Sequence, residues 1–375
     1  MKFASSTILF GILAGCISAV QAQGSTSQPS SVTIYGVLDA GVEWARSGTG
    51  NRMRLVSGGA QGSRLGFRGN EDLGNGISAS FRLEQGINID DGTLGQGGRA
   101  FGREASVGLG SNTLGTVMLG RLPTPYYLAA GAVDAFAWMG GGLLALTRSA
   151  EATQQIFPLG IGARYDNAMG YVAPRLGPIS LRAVVAAGEG SASVGRAYSL
   201  SGRYQDGPAD LVLAWARQDG AGNGSGRINA VVAGGSYDFG GARLFAGYTA
   251  EENNCTTCTA GLARGAGASS SEFRVMNVGA RIPVGGFTAI VQATRLLDRS
   301  AYTVAKGSRD ATWLAMGAEY ALSKRTLAYA SISGVNNQNG SQYVIGSGTA
   351  QQPVGFAGKS NARSSSVTLG MRHAF

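Results

Sequence analysis

Charged residues, proline and histidine are all scarce in this sequence. Of its 375 residues only 14% are charged, nine are proline and one is histidine, whereas 61 are glycine. Scarce proline and the lack of a Gly-X-Y repeat exclude collagen and argue against a disordered linker. Outside the N-terminus there is no stretch of about 20 apolar residues, which excludes a bundle of membrane-spanning helices. Little charge and much glycine indicate instead a β-rich chain in which polar and apolar residues alternate.

The first residues have the pattern of an export signal. Lys2 precedes an apolar stretch from about Ile8 to Val20, and the small residues that follow are typical of cleavage after Ala22. Residues 1–22 are therefore predicted to be a signal peptide, and residues 23–375 the mature protein. Residues 13–16 also fit a lipoprotein cleavage box, with Cys16 as the lipidated residue, so this alternative stays open. Either pattern predicts export.

Two cysteines remain after cleavage, Cys255 and Cys258, separated by two threonines. A zinc site takes about four ligands, and the only histidine, His373, is distant in the sequence. A redox motif is typical of a βαβ setting, which the pattern lacks. An oxidising compartment favours a small loop disulfide between the two cysteines, with free thiols as the alternative. No metal site and no cofactor are predicted.

Period-two alternation is the strongest structural signal in the chain. Residues 31–44 place apolar side chains on one face and polar ones on the other, and the same pattern recurs in residues 77–84, 314–322 and 366–375. Such segments predict strands with one polar and one apolar face. Residues 228–239 are an exception, because their alternation does not show which face is polar.

Short and long connections alternate between these strands. Seven short ones carry turn residues, and they lie at 71–76, 111–115, 174–178, 205–208, 239–241, 283–286 and 322–325. Longer stretches rich in glycine, serine and asparagine include 45–61, 88–101, 122–160, 250–271 and 336–362. Seven turns and eight longer loops would join sixteen strands, the pattern of a barrel in an outer membrane.

The predicted fold class is therefore all-β, a sixteen-stranded antiparallel transmembrane β-barrel. A closed barrel has no unpaired strand edge, as a lipid environment requires. A barrel of this size is too wide for its own side chains to fill, so it leaves an aqueous channel. A secreted soluble β-sandwich or β-solenoid would explain the alternation and the export, but not the rhythm of short and long connections.

Several segments, taken in order, resemble the general porins of Gram-negative outer membranes, in the form common among β-proteobacteria. They are residues 31–41, 63–69 with 71–76, 101–109 with 115–121, 164–167 with Tyr171, and 370–375. The resemblance implies an outer-membrane homotrimer of sixteen-stranded barrels, surrounded by lipid and lipopolysaccharide. It also implies that the third external loop, about residues 122–160, folds inward and narrows the pore.

This loop departs from the family's usual acidic tip. Residues 122–150 contain a single acid, Asp134, and the expected tip runs from Phe136 to Gly142. Phe136, Trp138 and Met139 either pack the loop against the barrel wall or narrow the pore. We take Asp134 and Trp138 as candidate constriction residues.

Arginines are the second set of candidates. In residues 64–68 the side chains of Leu65 and Phe67 face lipid, so those of Arg64 and Arg68 should face the lumen. A cationic side chain toward lipid near the midplane would cost ~2–4 kcal/mol. Arg82 faces inward by the same logic. Arg103 is placed by the resemblance, and Arg121 and Arg164 lie at the two ends of the loop. Some of these arginines could instead be solvated rim or turn residues.

The predicted function is passive diffusion of small hydrophilic solutes and ions through this pore, with a preference for anions. A substrate-specific channel of the same architecture is the alternative.

The arginines are scattered and the chain is exported, which argues against nucleic acid as a partner. An enzyme is not predicted, because nucleophile-elbow and metal motifs are lacking and His373 should face lipid; an outer-membrane barrel protease or phospholipase is the enzymatic alternative.

The last strand ends in an aromatic residue, Phe375. An amphipathic final strand with this ending resembles the signal read by the barrel-assembly machinery of the outer membrane. A second interpretation is that Phe375 is an aromatic-belt residue at the membrane interface.

Overall fold

The computed structural model describes residues 31–138, 140–143, 146–148, 162–188, 195–220, 226–254, 268–302, 310–346 and 359–375. The predicted signal peptide, the alternative lipidation site at Cys16, and the pair Cys255 and Cys258 lie outside these residues. So does Met139. The predictions made for them stay predictions.

Sixteen antiparallel strands form the barrel. They are β1 (Ser31–Ser47), β2 in two segments (Gly50–Ser57 and Arg64–Gly74), β3 (Ile77–Asn88), β4 (Glu104–Ser111), β5 (Gly115–Pro123), β6 (Arg164–Val172), β7 (Ile179–Ala186), β8 (Ala197–Asp206), β9 (Ala209–Asp219), β10 (Arg227–Asp238), β11 (Arg243–Asn253), β12 (Ala268–Val284), β13 (Phe287–Asp298), β14 (Ala311–Ala321), β15 (Thr326–Asn337) and β16 (Arg363–Ala374).

Shorter elements lie in the loops. They are the two- and three-residue strands Thr93–Leu94, Leu146–Arg148, Ala301–Tyr302 and Tyr343–Ile345, a helical turn at Gly95–Gly98, and a helix at Pro125–Ala132 that we call the loop helix. Within the described ranges, no helix has the length and apolar character needed to cross a membrane.

The first and last strands close the sheet on itself. Strand β16 pairs with β1 from Ala374 opposite Val37 to Ser365 opposite Arg46, and β15 pairs with β16 on its other side. The backbones of Gly36 and Phe375 exchange two hydrogen bonds of 3.1 Å each. The predicted sixteen-stranded antiparallel barrel is confirmed, and all seven short turns join consecutive strands where the sequence places them.

The prediction that residues 45–61 form a long loop is wrong. Strand β1 continues to Ser47 and β2 starts at Gly50, so a tight hairpin joins them. The irregular part is instead the break in β2 at residues 58–63. The Asp39 carboxylate holds this break, because its Oδ2 accepts hydrogen bonds from the backbone N–H groups of Ala60 (3.1 Å) and Gln61 (2.8 Å).

The two faces of the strands differ as the alternation predicts. In β1 the side chains of Val32, Ile34 and Trp44 are exposed on the outer face, whereas Asp39 and Glu43 are buried on the inner face. A closed barrel in lipid needs this arrangement, since no water is available to the outer face.

Strand β10 explains the alternation that the sequence left ambiguous. Its inward side chains Ile228, Ala230 and Val232 are fully buried, although the inner face of such a barrel usually meets water. They are apolar because they pack in one cluster with the loop helix. The chain segment that enters the barrel therefore makes this stretch apolar on both faces.

Candidate pore constriction

The loop helix begins the segment between β5 and β6. Thr124 caps it, because its Oγ1 accepts a hydrogen bond from the backbone N–H of Tyr127 (3.2 Å), and a proline occupies the first turn, where it costs no hydrogen bond. Tyr126 and Ala130 are buried and pack against inward side chains of β9 and β10. The helix thus lies inside the barrel, against one part of its wall.

Hydrogen bonds hold the residues that follow the helix against the same part of the barrel wall. The Asn277 side-chain amide of β12 donates to the carbonyl of Val133 (2.6 Å), and Gln292 Oε1 of β13 accepts the backbone N–H of Ala135 (2.9 Å). Arg281 Nη1 donates to the carbonyl of Ala135 (3.0 Å). We call the inner faces of β9–β14, against which the helix and this segment lie, the docking wall.

Glycines in the docking wall permit this close approach. A Cβ atom added to Gly247 would lie 2.8 Å from Cβ of Val133, and one added to Gly279 would lie 2.7 Å from Cβ of Ala135. Cβ contacts this short do not occur without displacement of one partner. Part of the high glycine content therefore provides a flat surface for the loop, which composition alone does not reveal.

Phe136 anchors the tip of the loop. Its ring is 1% exposed and packs in a cluster that includes Ala60, at the break in β2. Gly317 of β14 lies beneath the ring, since a Cβ there would be 2.9 Å from Phe136 Cε1. The backbone N–H of Gly140 donates to the carbonyl of Gly59 (2.8 Å). Of the two interpretations of Phe136, packing against the wall is the one that fits its position.

Asp134 lies inside the loop rather than on its pore-facing surface. Its side chain is 1% exposed, and its carboxylate accepts backbone N–H groups of Phe136 (3.1 Å), Trp138 (3.2 Å) and Leu143 (3.0 Å). Burial raises the pKa of the Asp134 carboxyl, and the three N–H donors oppose that rise. The sequence suggests a charge at the constriction; the structure gives Asp134 the role of holding the turn.

An aromatic pair forms the lumen side of the loop. The rings of Tyr127 and Trp138 are stacked, with centroids 4.9 Å apart and planes 5° from parallel. The Arg164 guanidinium lies over the Tyr127 ring at 5.5 Å from its centroid, and its Nε donates to the carbonyl of Arg103 (2.7 Å). Trp138 therefore lies at the surface where the loop meets the arginines.

The opposite side of the lumen carries the arginines, and we call it the arginine wall. Its members come from strands β2, β3, β6 and β7 and from the residue that precedes β4. They are Arg64, Arg68, Arg82, Arg103, Arg164 and Arg182. Glu84 of β3 binds two of them, through Arg103 Nε to Oε1 (2.6 Å) and Arg64 Nε to Oε2 (3.7 Å). Tyr35 also donates to Glu84 Oε2 (2.9 Å).

Positive charge is in excess on this wall. Arg82 Nη1 lies 3.3 Å from Glu104 Oε2, so Glu84 and Glu104 pair with three of the six arginines. Arg68 lies over the Tyr35 ring instead. Among the residues that the structure describes, Arg68, Arg164 and Arg182 make no ion pair. Arg68 and Arg82 are direct partners across β2 and β3, so the two guanidinium groups share one face of the sheet.

Arg121 does not face the lumen, contrary to the prediction. Leu119, two residues earlier, is exposed on the outer face, and Leu122 is buried on the inner side. Alternation therefore puts Arg121 on the outer face, where it pairs with the Asp166 carboxylate. Arg99 Nη1 binds the same carboxylate at 2.7 Å. This ion pair compensates the charge that would otherwise be costly outside the lumen.

Sequence reasoning missed Glu84, Glu104, Arg182 and Tyr127 as parts of the lumen surface. The alternation of residues 77–84 already places Glu84 on the polar face with Arg82. Its pairing with Arg103, however, depends on where the loop before β4 crosses the barrel end, which no local pattern encodes. Within the described residues, no group of three or more potential ligands could hold a metal ion.

A family model described as Gram-negative porin matches residues 6–340. The chain belongs to the Gram-negative porin family. Outer membrane porin protein 32 of Delftia acidovorans is 31% identical to this porin over 369 residues, which cover 96% of this chain and 98% of that protein. An outer membrane porin protein of Bordetella pertussis is 28% identical, with 97% and 98% of the two chains covered.

Solved porins share the fold. The anion-selective porin from Comamonas acidovorans superimposes with a TM-score of 0.74 and 28% identity, covering 92% of this chain and all of that one. A trimer form of OmpT of Vibrio cholerae, 14% identical, has a TM-score of 0.64 and shows the fold alone. This porin is thus an outer-membrane protein that forms a water-filled channel.

Proposed function

We propose that this porin is a trimeric channel for small hydrophilic solutes that prefers anions, narrowed where the arginine wall faces Tyr127 and Trp138. The observation that carries the proposal is the lack of charge balance across the narrowing. Six arginines line one side with two carboxylates paired among them, and the described part of the facing loop presents aromatic rings while its acid, Asp134, is buried.

Electrostatics favours anions in such a lumen. Arginines that line a pore select anions, and a cleft with charge of one sign and low-dielectric walls raises the local concentration of counter-ions. Charges on the outer face, such as the Arg121 pair, contribute little to the potential in the lumen. Salt screens the potential of an exposed charge over a distance of about 8 Å at physiological ionic strength. The inner arginines are therefore the filter in this proposal.

Relatives support the finer parts of the proposal. The anion-selective porin from Comamonas acidovorans covers nearly the whole chain, and a porin-fold neighbour has a trimer form. We also propose cleavage of the signal after Ala22, assembly through the Phe375 signal, and contact with lipopolysaccharide at the outer surface.

Planar-bilayer recording of the purified protein tests the proposal. In a KCl gradient the reversal potential should have the sign expected for chloride permeating better than potassium, and conductance should appear in steps of three. A reversal potential of the opposite sign would contradict the anion preference. Single, independent steps at all protein concentrations would contradict the trimer.

A further inference from the structure

A recess of about 630 Å³ lies on the arginine wall beneath the loop helix. Hydroxyl and amide side chains near the short-turn end of the barrel, including Thr33 and Asn70, form its lower rim. It is separate from the Arg64 and Arg103 pair at the narrowing, because neither of these residues lines it. A solute that has passed the narrowing would meet this surface next.

Three arginines give the recess its charge. Arg68, Arg82 and Arg182 come from β2, β3 and β7 and converge on the same space. Only Arg82 has a carboxylate partner among the described residues, Glu104. Arg82 and Arg182 both line this space, so their like charges repel one another. The recess therefore has guanidinium groups available to bind an anion, in a position where an anion would relieve repulsion.

An apolar ledge lies beside the arginines. It consists of Leu128, which is exposed, and Met118, which is half-buried, backed by the buried side chains of Leu122, Pro125 and Val184. Leu128 is 39% exposed on the lumen side of the loop helix, although its neighbours Ala129 and Ala130 on the same helix are buried against other residues. Apolar side chains and guanidinium groups thus line one concave space, the combination that is typical of a small-molecule site.

We infer that this recess binds organic anions that carry one carboxylate and an apolar tail. The carboxylate binds the guanidinium groups, for which arginine geometry is well suited, and the tail lies on the ledge. The inference rests on the proposed anion-preferring channel and names a solute class for it. Binding must stay weak enough for the solute to leave, as conduction requires.

A series of straight-chain carboxylates separates the two contributions. Acetate, butyrate and hexanoate have the same charge and differ only in the tail. We expect them to inhibit the chloride current with increasing potency, by about two- to fourfold for each added methylene that is buried on the ledge. Equal potency across the series would overturn the inference.

Two variants and a matched control locate the site. Arg182→Gln should weaken hexanoate block by about tenfold, as loss of one charge-assisted hydrogen-bond pair implies. Leu128→Asn should leave acetate block unchanged and reduce the gain from acetate to hexanoate. Arg325→Gln removes a charge from an exposed turn at the same end of the barrel and outside the recess, so it should leave the whole series unchanged.

The outcomes distinguish this inference from the proposed function. Chloride preference without tail-dependent block overturns the solute class and leaves the channel proposal standing. Loss of hexanoate block in Arg325→Gln to the same degree as in Arg182→Gln overturns the location. A cation-preferring channel contradicts the proposed function, and the inhibition series then decides the recess independently.

Discussion

The arginine wall and the docking wall are built from the same kind of strand and end with opposite inner faces. On β2, β3 and β7, alternate inward positions carry Arg68, Arg82 and Arg182, which stay in contact with the lumen. On β10 the equivalent positions carry Ile228 and Ala230, which are buried beneath the loop helix. The position of the loop therefore determines which inward side chains remain in contact with water in the lumen.

This difference gives the pore its charge asymmetry. A loop that covers one wall forces the aqueous path against the other, where positive charge is in excess. The docking wall holds the loop through its glycine and apolar residues. The arginine wall supplies the positive electrostatic potential of the pore. Changes to the first should alter the loop's position, and changes to the second should alter selectivity.

The largest expected effect comes from Phe136→Ala on the docking wall. Removing a ring that is 1% exposed should cost about 3–5 kcal/mol of the free energy that docks the loop. Deuterium exchange of the Ala135 amide, which is bonded to Gln292, should then become about 100-fold faster or more. Peptide-resolved exchange measured by mass spectrometry checks this.

The neighbouring residue provides a control. Ala137 is exposed and has a positive φ of 48°, a conformation that glycine adopts without cost. Ala137→Gly should leave exchange at Ala135 unchanged. Similar acceleration in both variants would mean that the loop tip is held by something other than the Phe136 ring.

A smaller effect is expected from the pH dependence of Asp134. Because burial raises the pKa of this carboxyl, its contribution to docking is fully present below the ordinary carboxyl pKa of about 4. That contribution is lost as pH rises through the higher folded value. The thermal midpoint of the wild type should therefore rise, relative to that of Asp134→Asn, between pH 7 and pH 4. Parallel curves for the two proteins would contradict this assignment.

The smallest expected effect on stability comes from deletion of Phe375. Its ring lies over Gly36 at the barrel rim and is 44% exposed, so its loss should cost only about 1–2 kcal/mol. If Phe375 is the assembly signal, the deletion variant folds in detergent but accumulates poorly in the outer membrane of cells, and Phe375→Tyr restores accumulation. Normal accumulation of the deletion variant would leave only the aromatic-belt role.

Sequence patterns predicted the features that depend on local alternation. The strand count, the short turns and the inward direction of Arg64, Arg68 and Arg82 follow from period two, because lipid on one face and water on the other act at each residue. The break in β2 depends on Asp39, more than twenty residues away from the N–H groups that it binds. Such distant partners leave no periodic signal.

The misplacement of Arg121 and Asp134 has a related cause. The nearness of Arg121 to the loop in the sequence suggests a lumen position, but the alternation from Leu119 to Leu122 puts it outside. Asp134 is the only acid in residues 122–150, which suggests a pore charge. Its three backbone N–H partners all come from the folded loop itself, and the turn that brings them together is not readable from composition.

The central claim is that the arginine wall, and not the porin's surface charge in general, sets selectivity. The reversal potential of the Arg64→Ala, Arg103→Ala double variant tests it most directly, because both arginines share Glu84 and their removal leaves that carboxylate without a cationic partner. We predict a clear shift toward potassium, while Arg121→Ala, which alters the outer face, keeps the wild-type value. Equal reversal potentials in the double variant and the wild type, or an equal shift in Arg121→Ala, would contradict the claim.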